Sequence, residues 1–341
     1  MVECLATEHN EIYRGLPGLE VPVGEALVSL SNMWDAPAAS EGSRAPSEFR
    51  ASRMNFILHF GFEASTEESE KLFQSVISFS RRYPCRIIAL CPSRDKNATG
   101  QGIVCKIFSE CYIGEGQGDM SCCEAIVFGY TLKEKKYLED QISIFLESDL
   151  PTYYWPYRFD SPENLSAYQS FFKNVNRVVI DTASEKYQPH MLDIAEPEKV
   201  YDLAFARTLS ARQSIGQFFS VFSAEDIVDE LNRIEIVTSV DHEAEMVVLS
   251  NWIQSVLEDC GNCVDKTKPA KSISCSLSVD PQSVPILRFL YSNGSSAECM
   301  LDFKSGVAHL RANIGGDECA MNAAIHLLNP DDALAESLFF G

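Results

Sequence analysis

MNFILHFGFEASTEESEKLFQSVISFSRRYPCRIIAL, residues 54–90, reads as one β-α-β unit. Its first seven residues form a continuous apolar run of strand length, the pattern of a strand covered on both faces. Acidic residues 67–70 open a helix at the positive end of its dipole, and Arg81 and Arg82 close it at the negative end. Leu72, Phe73, Val76 and Ile77 recur at helical spacing and form the buried side. Pro84 ends the helix, and 86–90 (RIIAL) returns as a second strand beside the first, joined by a right-handed crossover.

The same alternation continues outward. Strands are predicted at 102–108, 124–129, 151–155 and 177–181, and helices at 136–148 and 161–173. Strands alternating with helices of this length specify an α/β fold: a mostly parallel, Rossmann-like sheet with helices on both faces. Upstream, Val23, Ala26, Leu27, Leu30 and Trp34 mark one face of a short helix expected to dock on the later domain. It is tethered through 35–46 (DAPAASEGSRAP), a linker by composition. Downstream, 201–222 (YDLAFARTLSARQSIGQFFSVF) reads as one amphipathic helix with Ile215, Phe218, Phe219 and Phe222 on its apolar stripe.

Beyond that helix come a strand at 234–238, a helix at 244–258 and short strands at 272–279, 286–291, 298–303 and 307–312. Asn293-Gly294 is a hairpin signal and 304–306 a weaker one. This is a smaller α+β domain with an antiparallel sheet and a tail helix from Pro330. The organisation is a helix and linker (1–50), an α/β domain (51–190), connector helices (191–233) and an α+β domain (234–341).

Net charge is −21, from 28 basic and 49 acidic residues in 341. That balance argues against nucleic acid or an anionic membrane as partner, since both attract positive surfaces. A local basic patch from Arg81, Arg82 and Arg86 remains compatible with it. The amino terminus lacks a basic start followed by an apolar run, and no stretch has membrane-spanning length, so a cytoplasmic protein is expected. The twelve cysteines are then expected to be reduced thiols rather than a disulfide framework.

Little in the chain points to catalysis. The only glycine-rich candidate, 114–119 (GEGQGD), has the wrong spacing for a dinucleotide fingerprint and carries two carboxylates where phosphate would approach. No cofactor and no metal is expected. Cys260 and Cys263 form the one tight cysteine pair, a possible redox site, but they follow a helix, where the dipole raises a thiol pKa. Cys122 and Cys123 are expected to face opposite sides of a sheet. His59, within an apolar strand, is expected to be a satisfied core histidine. Trp155, at the end of a strand within PTYYWPYRF, and Arg207 and Arg212, outside the apolar stripe of their helix, are candidate partner contacts. Exchanging both arginines for glutamate is expected to weaken partner binding and leave the fold intact.

Several segments, in this order, resemble the glucose-6-phosphate dehydrogenase assembly protein family, OpcA. They are the early helix ending in NMWD, then RASRMNFILHF, YPCRIIAL, CCEAIVFG, SDLPTYYWP, NRVVIDTAS and YDLAFARTLSARQSIGQFF. The resemblance thins at Ala211-Arg212, where the family's pattern has Trp-Arg. It implies a non-catalytic protein that binds glucose-6-phosphate dehydrogenase and favours its active oligomer, raising NADPH supply through the oxidative pentose phosphate pathway. Two other readings of the residues stand beside it: a sugar-phosphate or nucleotide enzyme or sensor, and a thiol switch.

Overall fold

A computed structural model describes residues 10–35, 52–93, 102–113, 120–185, 196–264 and 273–340. In chain order the elements are α1 (Glu11–Gly15), β1 (Leu19–Val21), α2 (Ala26–Asp35), β2 (Met54–Phe60), α3 (Thr66–Arg82), β3 (Cys85–Pro92), β4 (Val104–Ile113) and β5 (Met120–Tyr130). Then follow α4 (Lys135–Ser143), β6 (Thr152–Tyr157), α5 (Pro162–Ser166), α6 (Gln169–Lys173), β7 (Arg177–Ile180), β8 (Val200–Asp202), α7 (Leu203–Arg207), α8 (Leu209–Phe219) and α9 (Ala224–Val228). The rest are β9 (Leu231–Thr238), α10 (Glu243–Val264), β10 (Ser274–Val279), β11 (Ile286–Tyr291), β12 (Ser296–Asp302), β13 (Val307–Ile314), β14 (Asp317–Ala324) and α11 (Pro330–Ala335). Two compact units emerge, 1–202 with 330–341, and 203–329.

The first unit is built on an eight-stranded mixed sheet, ordered β1-β4-β5-β3-β2-β6-β7-β8 among the described residues. β5, β3, β2, β6, β7 and β8 run parallel, and β4 and β1 add an antiparallel edge. Every residue of β2, β3 and β6 is buried, as continuous apolar runs require. α3 starts with a reciprocal cap: Ser65 Oγ accepts from the Glu68 N–H while Glu68 Oε2 accepts from the Ser65 N–H. Its Phe73 packs edge-on against Phe108 of β4. The tail beyond α11 adds Phe339, stacked on Phe79 of α3 and tilted against Tyr83, the residue that caps it. The opposite face joins Ala26 and Leu30 of α2, Leu138 and Ile142 of α4, and Leu165, Tyr168 and Phe171 to Ile57, Ile88, Ile126 and Tyr154 of the sheet. Lys106 Nζ donates to the carbonyls of Tyr13 and Leu16, closing the carboxyl end of α1.

The second unit is a six-stranded sheet, ordered β10-β9-β11-β12-β13-β14. It is antiparallel except for β10, which runs parallel to β9. Its core joins Ala211, Ile215 and Phe218 of α8 and Met246, Leu249 and Ile253 of α10 to the inward residues of β9 to β13. Among the described residues no helix is long and apolar enough to cross a membrane.

Several expectations change. Residues 201–222 are not one helix: Tyr201 lies in an edge strand of the first sheet, and the helix breaks at Thr208, whose hydroxyl donates to the Phe205 carbonyl. A side chain bonding its own backbone in this way competes with helix continuation. The predicted 161–173 helix splits into α5 and α6 at Tyr168, which turns inward to bond Tyr130. The tail helix from Pro330, read with the α+β domain, packs on α3 of the first unit. β14 was not expected. It follows a Gly315-Gly316 turn with φ of 65° and 89°, a conformation glycine adopts without strain.

Candidate functional site

The connections of the first sheet reverse at its centre. From β2 the chain moves to β3 and β5 on one side, then crosses to β6 and β7 on the other. Open α/β sheets bind ligands in the crevice outside the carboxyl ends of the strands at such a point, here between β2 and β6. Three loops converge there, following β2, β6 and β7.

Arg158 fills this position. It leaves β6 with φ 59°, a left-handed conformation that costs a non-glycine residue free energy. Its backbone N–H donates to Glu185 Oε1 (2.6 Å), Nη1 to the Ser184 carbonyl (2.7 Å) and Nη2 to Glu68 Oε1 (2.6 Å). Gly61 packs directly on the Arg158 carbonyl, leaving no room for a Cβ. Glu68 is the same carboxylate that caps α3. Burial alone would raise its pKa, but the Ser65 N–H and the Arg158 guanidinium outweigh burial and hold it below the usual carboxylate range. Thus the place where an α/β protein receives a phosphate, beside an arginine at a helix amino terminus, holds the protein's own carboxylate.

Behind it, the neighbouring strand β2 carries His59. Its Nδ1 lies 2.7 Å from Tyr154 Oη and its Nε2 2.7 Å from Tyr130 Oη, which in turn meets Tyr168 Oη at 2.8 Å. Phe159 and Phe171 complete the aromatic enclosure. One ring nitrogen donates and the other accepts, so the neutral imidazole satisfies the chain of hydroxyls in either tautomer. Burial, with a smaller effect from Lys135, pushes the His59 pKa down to about 3. The histidine is a satisfied core residue, as its apolar strand suggests.

The predicted contact residues are dispersed. Trp155 is 2% exposed, edge-on to Phe56 and Tyr157 on the α3 side of the sheet, so a partner reaches it only by opening that layer. Arg207 is largely buried and its Nε donates to Glu245 Oε1 at 2.8 Å. Exchanging it for glutamate would set two carboxylates together in a half-dry site, a cost to the fold that the expectation from sequence leaves out. Arg212 lies over the Phe205 ring, 3.8 Å from its centroid, and its neighbour Ala211 is fully buried.

The basic patch does not form either. Arg86 is buried against Glu124 (2.5 Å) and Glu147 (2.6 Å), Arg81 meets Glu110 (3.0 Å), and Arg82 meets Asp332 (3.6 Å). Each guanidinium has an acidic partner on another element that sequence spacing does not reveal.

Cys260 and Cys263 lie in the last turns of α10 rather than in a loop, as free thiols. Burial and the neighbouring Cys263 and Asp259 raise the Cys260 pKa, the wrong direction for a reactive thiolate. The expectation of wholly reduced cysteines is corrected elsewhere: Cys111 of β4 and Cys122 of β5 stand directly opposite and form a disulfide, while Cys123 faces the other side of the sheet. Among the described residues no group of three or more His, Cys, Asp or Glu could hold a metal ion. The glycine-rich segment 114–119 lies outside the described residues.

The second unit holds an apolar groove with a cavity volume of about 90 Å3 between α8, α9 and α10. Ile215, Phe219, Ile227, Trp252, Val256 and Cys260 line it, over Phe289 of β11. Nothing in the sequence joins these segments except the aromatic stripe of α8.

Residues 76–196, from within α3 past β7, match the OpcA glucose-6-phosphate dehydrogenase assembly model, described as "Glucose-6-phosphate dehydrogenase subunit N-terminal domain". The "Putative OxPP cycle protein OpcA" of Synechocystis sp. is 23% identical over 181 residues, 51% of this chain and 37% of that protein. The chain thus spans well under half of that relative's length. Both findings agree with the resemblance carried by the sequence.

Proposed function

We propose that this chain is a non-catalytic assembly factor that binds glucose-6-phosphate dehydrogenase and favours its active oligomer in the oxidative pentose phosphate pathway. The match of residues 76–196 to the assembly model carries this reading. The geometry agrees with it. At the switch point of the first sheet, Glu68 and Arg158 satisfy one another, so the position offers a rigid scaffold rather than an open anion cradle.

An assembly factor acts by binding the active form of its enzyme more tightly than the inactive form. A coupling of about 1–3 kcal/mol would shift substrate affinity about 5- to 150-fold. NADPH supply rises in proportion, and the complex works in the cytoplasm. Arg212 serves as the contact residue, its guanidinium already spread over Phe205. Arg207, through Glu245, positions that surface, and Trp155 acts from within the core of the first unit rather than by touching the partner.

The test is a titration of this protein into the dehydrogenase of the same organism, with initial rates recorded at subsaturating glucose 6-phosphate. Rates should rise and saturate at a fixed stoichiometry. Flat rates at all ratios would refute the reading. In that case a sugar phosphate or nucleotide bound at the switch point is the alternative. Such a ligand has to displace Glu68 from Arg158, and a melting temperature raised by those ligands reveals it.

A further inference from the structure

We propose that the outer edge of β14 pairs with β14 of a second copy of this chain, antiparallel about a two-fold axis at Ala320. The two six-stranded sheets then become continuous. This goes beyond the preceding reading and does not rest on it.

The edge is open and unprotected. β14 pairs with β13 in unbroken register, from Val307↔Ala324 to Ile314↔Asp317. The two-residue Gly315-Gly316 turn makes Ile314 and Asp317 a hydrogen-bonded pair, and such pairs alternate along an antiparallel ladder. Asp317, Cys319, Met321 and Ala323 therefore bond inward to β13. Glu318, Ala320, Asn322 and Ala324 turn their N–H and C=O groups outward, where no backbone among the described residues meets them. Sheet edges are usually blunted by shortness, lysine, proline or a bulge. The edge strands of the first sheet, β1 and β8, have three residues each. β14 has eight, with no lysine, arginine, proline or glycine and no bulge.

Its side chains match those of a second copy. Asn322 Oδ1 accepts from His309 Nδ1 at 2.8 Å, which leaves the amide Nδ2 free. Glu318 has no partner among the described residues. The two groups flank Ala320 on the same exposed face. An antiparallel pair centred on Ala320 sets Glu318 of each copy opposite Asn322 of the other, so carboxylate meets amide N–H twice. It also forms about six backbone hydrogen bonds, at the Ala320 pair and at both Glu318–Asn322 pairs. By symmetry a second copy carries the matching groups at the required spacing, which singles it out over a strand of another protein.

The net charge of −21 opposes self-association, but the strand places its acids to avoid the conflict. Asp317 and Glu318 stand at one end, and antiparallel pairing sends the two acidic ends apart, each beside neutral residues 322–324 of the other copy. No like charges face one another.

The test is sedimentation equilibrium of the full chain at about 0.15 M salt, where repulsion is screened beyond about 8 Å. The average mass should rise with concentration from one chain toward two. Asn322→Asp sets carboxylates opposite one another twice and should weaken dimerisation about 10-fold. Adding Glu318→Lys to that variant places lysine opposite aspartate and should restore the wild-type affinity. Ala320→Pro deletes an outward N–H that β13 does not use, and should weaken the dimer about 10-fold or more. Asn322→Asp keeps the acceptor for His309 and should melt as the wild type does, so a folding defect in Ala320→Pro leaves the test intact. A dimer whose affinity the charge pair does not move would overturn the proposal. So would a monomer at every concentration, and the edge would then be open to a strand of another protein.

Discussion

His59 makes the stability of the first unit depend on pH in a way its neighbours allow to be calculated. Its pKa falls from 6.5 in the unfolded chain to about 3 in the folded one. Below pH 6.5 the unfolded state takes up a proton that the folded state refuses, so stability falls as pH falls. The contribution is complete above pH 6.5 and is lost progressively down to about pH 3. Each unit is worth about 1.4 kcal/mol, so acidification from pH 7.5 to 5 costs about 2 kcal/mol at this residue, with a ceiling of about 5 kcal/mol. Other groups titrate in the same range, so the quantity to read is a difference. His59→Gln retains a donor and an acceptor for Tyr154 and Tyr130 but cannot titrate. Urea denaturation, followed by Trp155 emission in a background with Trp34 and Trp252 replaced by phenylalanine, reports on the first unit. The wild type should lose about 2 kcal/mol more than His59→Gln over that interval. Parallel pH profiles would refute the reasoning and place water or a charged partner beside the imidazole.

Arg86→Met strands Glu124, 2% exposed, and should cost about 3–5 kcal/mol, visible as a lower urea midpoint with an unchanged slope. Gly61→Ala drives a Cβ into the Arg158 carbonyl and should destabilise by about 1–3 kcal/mol or more, since a backbone atom yields less readily than a side chain. Alkylation without reductant, read by mass spectrometry, should leave Cys111 and Cys122 unlabelled. Reduction should then lower stability by up to about 3 kcal/mol, as expected for a closed loop of separation 11.

The parts of the fold legible in the sequence are those where local pattern and burial coincide. β2 and β3 read as apolar runs because parallel strands are covered on both faces. α3 reads from its acidic start, basic end and apolar stripe. β1 and β14 escaped because they are short or carry few large apolar residues at a sheet edge. The helix from residue 201 misread because its first residues extend the sheet, a tertiary choice that outweighs local helix pattern. The switch-point pair was illegible for a different reason: Glu68 and Arg158 are 90 residues apart, and only the topology of the sheet brings them together. For the groove, the stripe on α8 was visible, as were Trp252 and Val256 on the predicted 244–258 helix, but α9 and the meeting of the three helices were not.

The central claim is that this protein changes the assembly of a dehydrogenase, and sedimentation velocity tests it most directly. Glucose-6-phosphate dehydrogenase from the same organism, run alone and with a molar excess of this chain, should shift to a larger species containing both proteins. Activity assayed at that ratio should rise with the shift. Two boundaries that sediment independently, with the enzyme's oligomer distribution unchanged, would contradict the account.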